Sequence, residues 1–184
     1  EKEIPELPSQ KYEKYIKELK LSEDDAFVIT NEIELTKIFE NLIKKVDPIL
    51  TSKWIRRELM RVLNLNKIEL KDMEINLTEF TNLLLLIQNK KITDKIGIEI
   101  LEKLILKKFD VNKYVKDNKL ESIQDINEIE AFCNDVIKQN KKAVDDFKSG
   151  KEMAINAIIG TVMRRTKGKA SPRDVKDILK KLLN

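Results

Sequence analysis

The chain has 184 residues, room for one or two domains, of which 41% are apolar, 37% charged and only 5% aromatic. It holds no histidine and a single cysteine, which removes the commonest general base and metal ligand and any intrachain disulfide. The net charge of +4 is uneven: residues 1–137 carry 23 Lys and Arg against 27 Asp and Glu, whereas residues 138–184 carry 13 against 5, a local excess of +8 that favours an anionic partner, more often a nucleic acid than a membrane.

Nearly every segment has the apolar spacing of a helix, and no run alternates as a strand would. The chain opens at Glu1 with neither an initiator methionine nor a signal segment, so it reads as a piece of a longer cytoplasmic protein, or an organellar one in a eukaryote. Ser9 is expected to cap a helix from Gln10 to Leu19, and Ser22 a second, with Glu23, Asp24 and Asp25 in its favourable first turn. Asn31 is the expected cap of a third, in which Ile33, Ile38, Phe39 and Leu42 form a stripe. In "DPILTSKWIRRELMRVLN", Trp54, Ile55, Leu59, Val62 and Leu63 share one face, with Arg56, Arg57 and Arg61 opposite. "KIELKDMEIN" is a polar connector, and the next helix buries Leu77, Phe80, Leu83, Leu84 and Ile87. Its apolar run, Leu83–Ile87, is the longest in the chain and far below the ~20 residues that span a bilayer. Thr93 caps a helix whose apolar residues cover more than one face, as expected near the centre of a bundle, and Asp110 caps a short helix to about Lys116.

"DNKLESIQ" reads as a linker, with a domain boundary near Lys119. Beyond it Asp125 caps a helix holding Cys133, which reads as a buried apolar residue. "KKAVDDFK" stops at Ser149 and Gly150; "KEMAINAIIGTVMRR" places Ile155, Ile158, Ile159 and Val162 together. The last helix, "SPRDVKDILKKLLN", carries Val175, Ile178, Leu179, Leu182 and Leu183 at helical spacing. The fold class is therefore all-α.

No catalytic constellation accompanies these helices. There is no metal-ligand spacing, no nucleophile motif and no glycine-rich phosphate loop. The pairs Asp24–Asp25 and Asp145–Asp146 are neighbours in sequence and do not converge on a helix. The stretch "GTVMRRTKGKASPRDV" is different in kind. Arg164 and Arg165 suit a helix C-terminus, Gly168 suits a left-handed reversal, and Ser171, Pro172 and Asp174 read as N-cap, N1 and N3 of the next helix. The turn requires neither Lys167 nor Lys169. Beside a helix N-terminus, with Arg173 on its first turn, they suit a phosphate. Charge pattern alone leaves phosphate binding and a solvated basic corner both open. With few aromatics nearby, contact with a folded RNA fits better than base stacking.

Four segments resemble one family, the B subunits of tRNA-dependent amidotransferases, GatB. "PELPSQKYEKYIKELKLSEDDA" is similar to its "ELP…R…Y…GLS..DA", and "SKWIRRELMRVLN" to its "W…EL…LN" helix. "NKKITDKIGIEILEKL" resembles its "G.IS.K.A..VL". "NKKAVDDFKSGKEMAINAIIGTVMRRTKGKASP" resembles "N..AV.DY..GK..A…L.G.VMK.TKGKA.P", a tail shared with YqeY proteins and the archaeal GatE subunit. Lys20, Asn89, Thr93 and Ser171 depart from the family pattern.

The resemblance implies a helical bundle domain over residues 1–118 and a YqeY-like tRNA-binding tail over 119–184. It implies tRNA contacts at Lys167, Lys169, Arg164, Arg165, Arg173 and Lys151. It further implies a role in converting Glu-tRNA(Gln) to Gln-tRNA(Gln) or Asp-tRNA(Asn) to Asn-tRNA(Asn), with GatA and GatC as partners of the full-length protein. The cradle domain, to which the family's ATP and Mg belong, has no match here. This chain is thus expected to hold no cofactor and to be inactive alone. A module that docks on the other subunits, or the tail of a GatE subunit, is the alternative.

Overall fold

The computed structural model describes residues 6–183, which form helices joined by turns, with no strand among them. None of these helices is long and apolar enough to cross a membrane. Two compact units result: one holds the chain up to Asn89 together with Gly97–Tyr114, the other Lys90–Ile96 together with the chain from Val115 onward.

In the first unit, α1 (Pro8–Lys17) begins earlier than Ser9 would cap it. Pro8 at N1 has its φ preset and no N–H to leave unpaired, and the Leu7 N–H donates to Gln10 Oε1 at 2.9 Å. Ser22 does cap α2 (Glu23–Asn31), its Oγ accepting from the Asp25 N–H at 3.1 Å. Asn31 is not a cap. It ends α2, and the chain breaks at Glu32 (φ −120°, ψ 117°) before α3 (Ile33–Leu42). There the Thr36 hydroxyl donates to the Ile29 carbonyl at 2.8 Å, satisfying one of the acceptors a helix end leaves free. Ile38, Phe39 and Leu42 are buried as expected, with Leu35, but Ile33 is 64% exposed.

Asp47 caps α4 (Pro48–Lys53), accepting from the Leu50 N–H at 2.8 Å. The helix continues through a π-helical stretch (Trp54–Leu59) into α5 (Met60–Asn66), and the Met60 N–H reaches the Ile55 carbonyl five residues back. All five residues expected on its apolar face are buried. The polar connector contains one 3-10 turn, Leu70–Asp72. Helix α6 (Leu77–Gln88) buries Phe80, Leu83, Leu84 and Ile87, while Leu77 is half-buried. Burial of each such large side chain contributes about 1.5–3 kcal/mol.

Helix α7 (Asp94–Leu106) departs from its expected central place. It buries Ile96, Ile100, Leu101 and Leu104 but exposes Lys95, Glu99 and Lys103. Of its remaining apolar residues, Ile98 and Ile105 are half-buried flanks of that stripe and Leu106 is exposed, so there is no second buried face. Gly97 is what lets α7 approach: an added Cβ would lie 2.7 Å from Ile87 Cδ1 and 2.8 Å from Trp54 Cη2. Helix α8 (Val111–Asp117) is capped by Asp110, which accepts from the Lys113 N–H at 2.8 Å.

The second unit is a small bundle of α9 (Ile126–Gln139), α10 (Lys141–Lys148), α11 (Ile155–Arg165) and α12 (Pro172–Leu183). Asp125 caps α9 through the Asn127 N–H at 2.9 Å, and Gly150 ends the turn after α10 at φ 96°. Helix α11 packs on α9, α10 and α12. Its Ile155, Ile158 and Val162 meet Ile129, Cys133 and Val136 of α9 and Val175, Ile178, Leu179 and Leu183 of α12 in one core. Ile159 and Leu182 pack at its edge. Cys133 is fully buried, and its thiol is pushed up to about 11 by burial and then by the Glu130 charge.

Candidate nucleic-acid interface

Helix α11 ends in a double reversal. The Lys167 N–H donates to the Arg164 carbonyl at 3.1 Å, and the Gly168 N–H to the Met163 carbonyl at 2.9 Å. This is the paired closure of a Schellman turn, which satisfies two carbonyls at the helix end. Gly168 is left-handed as expected, at φ 75°, but so is Lys167 at φ 51°. The residue that first reverses the chain is thus a lysine. Ser171 then caps α12, its Oγ accepting from the Asp174 N–H at 3.4 Å, with Pro172 at the first helical position.

This turn is held by other parts of the same unit. The Thr93 hydroxyl donates to the Gly168 carbonyl at 2.6 Å, while its Oγ also caps α7 by accepting from the Ile96 N–H at 3.3 Å. The Ile123 N–H donates to the Lys169 carbonyl at 2.9 Å, and the Ser122 N–H to the Lys91 carbonyl at 2.8 Å. Three chain segments, 90–95, 119–124 and 164–171, are therefore laced together at one end of α11.

The expected contact residues fare differently. Lys167 and Arg173 are exposed and make no side-chain hydrogen bond or ion pair among the described residues. Lys169 is half-buried, with its Nζ 3.4 Å from the Lys119 carbonyl oxygen. Arg164 is exposed and donates to Thr161 Oγ1 at 3.2 Å; Arg165 is exposed and donates to Gln139 Oε1. Neither has an anionic partner among the described residues. Lys151 stands apart, before the N-terminal end of the 11-residue α11 and about 16 Å along its axis from the corner. It is engaged with Asp146 at 2.8 Å; their hydrogen bond raises the lysine and lowers the carboxyl from their ordinary values.

The arginines of the first unit are mostly accounted for structurally. Arg56 pairs with the buried Asp25 at 2.8 Å, and Arg61 with Glu58 at 3.1 Å and Glu102 at 3.2 Å; only Arg57 remains exposed without such a partner among the described residues. Reading along the chain missed Lys90, Lys91, Lys95 and Lys119, all exposed and all in the second unit. The run "NKKITDK" advertised charge, but nothing local placed it beside residue 168. Among the described residues no three His, Cys, Asp or Glu side chains converge as a metal ion would need.

A family model described as the GatB domain matches residues 37–183, most of the chain. The chain belongs to the GatB/YqeY domain family. Its GatB domain is similar to the B subunits of aspartyl/glutamyl-tRNA(Asn/Gln) amidotransferases from several organisms. The one from Methanococcus maripaludis is 35% identical over 191 residues, covering 100% of this chain and 41% of the relative. The one from Methanothermobacter thermautotrophicus is 37% identical over 177 residues, covering 96% and 39%. The one from Thermotoga maritima is 39% identical over 183 residues, covering 99% and 38%. The chain thus spans about two fifths of the length of the curated relatives it matches.

Proposed function

We propose that this chain is the tRNA-recognising part of an amidotransferase's GatB component. It holds the body of a misacylated tRNA while Glu-tRNA(Gln) is converted to Gln-tRNA(Gln), or Asp-tRNA(Asn) to Asn-tRNA(Asn), at a site elsewhere in the enzyme. The carrying observation is the end of α11, where Arg164, Arg165, Lys167 and Arg173 gather without a carboxylate partner among the described residues. The helix end by itself favours Arg164 and Arg165, but the turn requires neither Lys167 nor Arg173. Phosphates along an RNA backbone supply the missing anions, and their released counterions supply much of the binding free energy. The names of the relatives point to the same kind of substrate.

A titration of tRNA against the chain, followed by filter binding from 50 to 200 mM salt, tests this. Affinity should fall steeply with salt. Joint Lys167→Gln and Lys169→Gln substitution should lower the magnitude of the log–log slope by about two. An absence of tRNA affinity at low salt would overturn the reading for this chain.

A second reading has its own support. Phe27 and Ile33 of the first unit are 57% and 64% exposed, as side chains that dock on a protein partner would be. On that reading the chain binds GatA and GatC, and co-elution with them survives neutralisation of Lys167 and Lys169.

A further inference from the structure

We infer that the phosphate-binding surface is composite, and that Lys95 and Lys119, distant in sequence from the basic corner, are direct contacts to the RNA backbone. This rests on the tRNA-binding reading and extends it to residues that the local motif does not contain. Three observations converge. The stem of Lys95 lies over Gly168: its Cδ is 2.8 Å and its Cε 3.3 Å from where a Cβ on that glycine would be. The absence of a side chain at residue 168 therefore seats Lys95 beside Lys167. Lys119 is tied to the same corner from the other side, through its carbonyl oxygen, 3.4 Å from Lys169 Nζ, and through the Ile123–Lys169 backbone bond four residues on. Finally, the ammonium groups of Lys95, Lys119 and Lys167 are exposed and enter no ion pair among the described residues, although Asp94, Asp117 and Glu121 are near in sequence.

Some lysines elsewhere are paired, as Lys11 is with Glu40, Lys17 with Glu13 and Lys151 with Asp146, and others, such as Lys148, are not among the described residues. What sets the lysines around Gly168 apart is that three chain segments hold them at one corner. Unpaired like charges repel one another, and a polyanion laid across them relieves that repulsion. A folded RNA, with phosphates in two directions on its surface, suits cations fixed by three separate segments. The Thr93–Gly168 bond and the Ser122–Lys91 bond hold those segments in place before any ligand arrives.

The test uses the whole chain and an unmodified tRNA transcript. Lys95→Gln and Lys119→Gln should each weaken binding about eightfold at 0.1 M salt and lower the slope by about one, the share of one phosphate contact. Lys95→Arg and Lys119→Arg should restore both quantities. Lys148→Gln, at the opposite end of α11, should change neither. Acetylation of the wild-type chain gives a second readout that requires no variant to fold: bound tRNA should shield Lys95 and Lys119 together with Lys167. Unchanged slopes with equal acetylation at Lys95 and Lys119, while Lys167 is shielded, would overturn this proposal and leave the tRNA-binding reading standing. Absence of any wild-type affinity would remove both.

Discussion

Among the described residues, five other than glycine are left-handed, and all five are lysines: Lys20, Lys67, Lys90, Lys119 and Lys167, at φ between 51° and 58°. Each follows a helix end. At Lys67 and Lys119 the hydrogen bonds repeat those of Lys167, with Ile68 N–H to Leu63 carbonyl at 3.0 Å and Leu120 N–H to Val115 carbonyl at 2.9 Å. A side chain in this conformation brings Cβ against the following carbonyl and costs about 1–2 kcal/mol, a cost glycine avoids. Lys20 stands where the family pattern has glycine, so its departure is a conformational one. Lys20→Gly should therefore stabilise the chain by roughly 1 kcal/mol, read as a higher midpoint in urea at unchanged m-value. The departure assigned to Asn89 belongs one residue later: Asn89 is right-handed at φ −84°, whereas Lys90 takes the glycine-like φ of 55°. The spacing of "G.IS", with Ile92 as its isoleucine, already puts the glycine at residue 90, and the exit direction of the chain is why a left-handed residue is needed there.

Among elements, the π-helical stretch Trp54–Leu59 joins two roles. Its apolar side closes the core under Gly97, and Arg56 on its outer side meets Asp25 of α2 at 2.8 Å. Asp25 read in sequence as first-turn charge; in the fold its side chain is only 9% exposed, and Arg56 satisfies it. Arg56→Ala would leave a buried carboxylate without that partner, at a cost of about 1–3 kcal/mol. A lowered melting temperature with an unchanged salt slope for tRNA binding would mark Arg56 as structural. An unchanged melting temperature with weaker binding would assign it to the RNA. Helix starts were legible where a short polar side chain immediately precedes an apolar stripe, as at Ser22, Thr93, Asp110, Asp125 and Ser171. They were misread at Ser9 and Asn31, where a proline or a continuing helix outweighed the cap.

Over the molecule as a whole, the excess of +8 in residues 138–184 is opposed by a net of −4 in the rest. Such a division orients the molecule in the field of a polyanion during approach. The association rate with tRNA should accordingly fall as ionic strength rises, and fall less in the joint Lys167→Gln and Lys169→Gln variant; stopped-flow fluorescence reads both. A rate indifferent to salt would show that the asymmetry plays no part in encounter.

The helices, most of their buried faces, the turn after α11 and the positive charge at the C-terminal end were all legible from the order of residues. They follow from 3.6-residue periodicity, local capping and composition, all of which act over a few residues. Which charges are spent on ion pairs and which remain open was settled by the fold alone. Arg56, Arg61 and Lys151 have carboxylate partners, whereas Lys95, Lys119 and Lys167 do not among the described residues. The reason is separation along the chain. Lys95 and Gly168 lie 73 positions apart, and their contact depends on the Thr93–Gly168 hydrogen bond and the close backbone approach that a residue without Cβ permits.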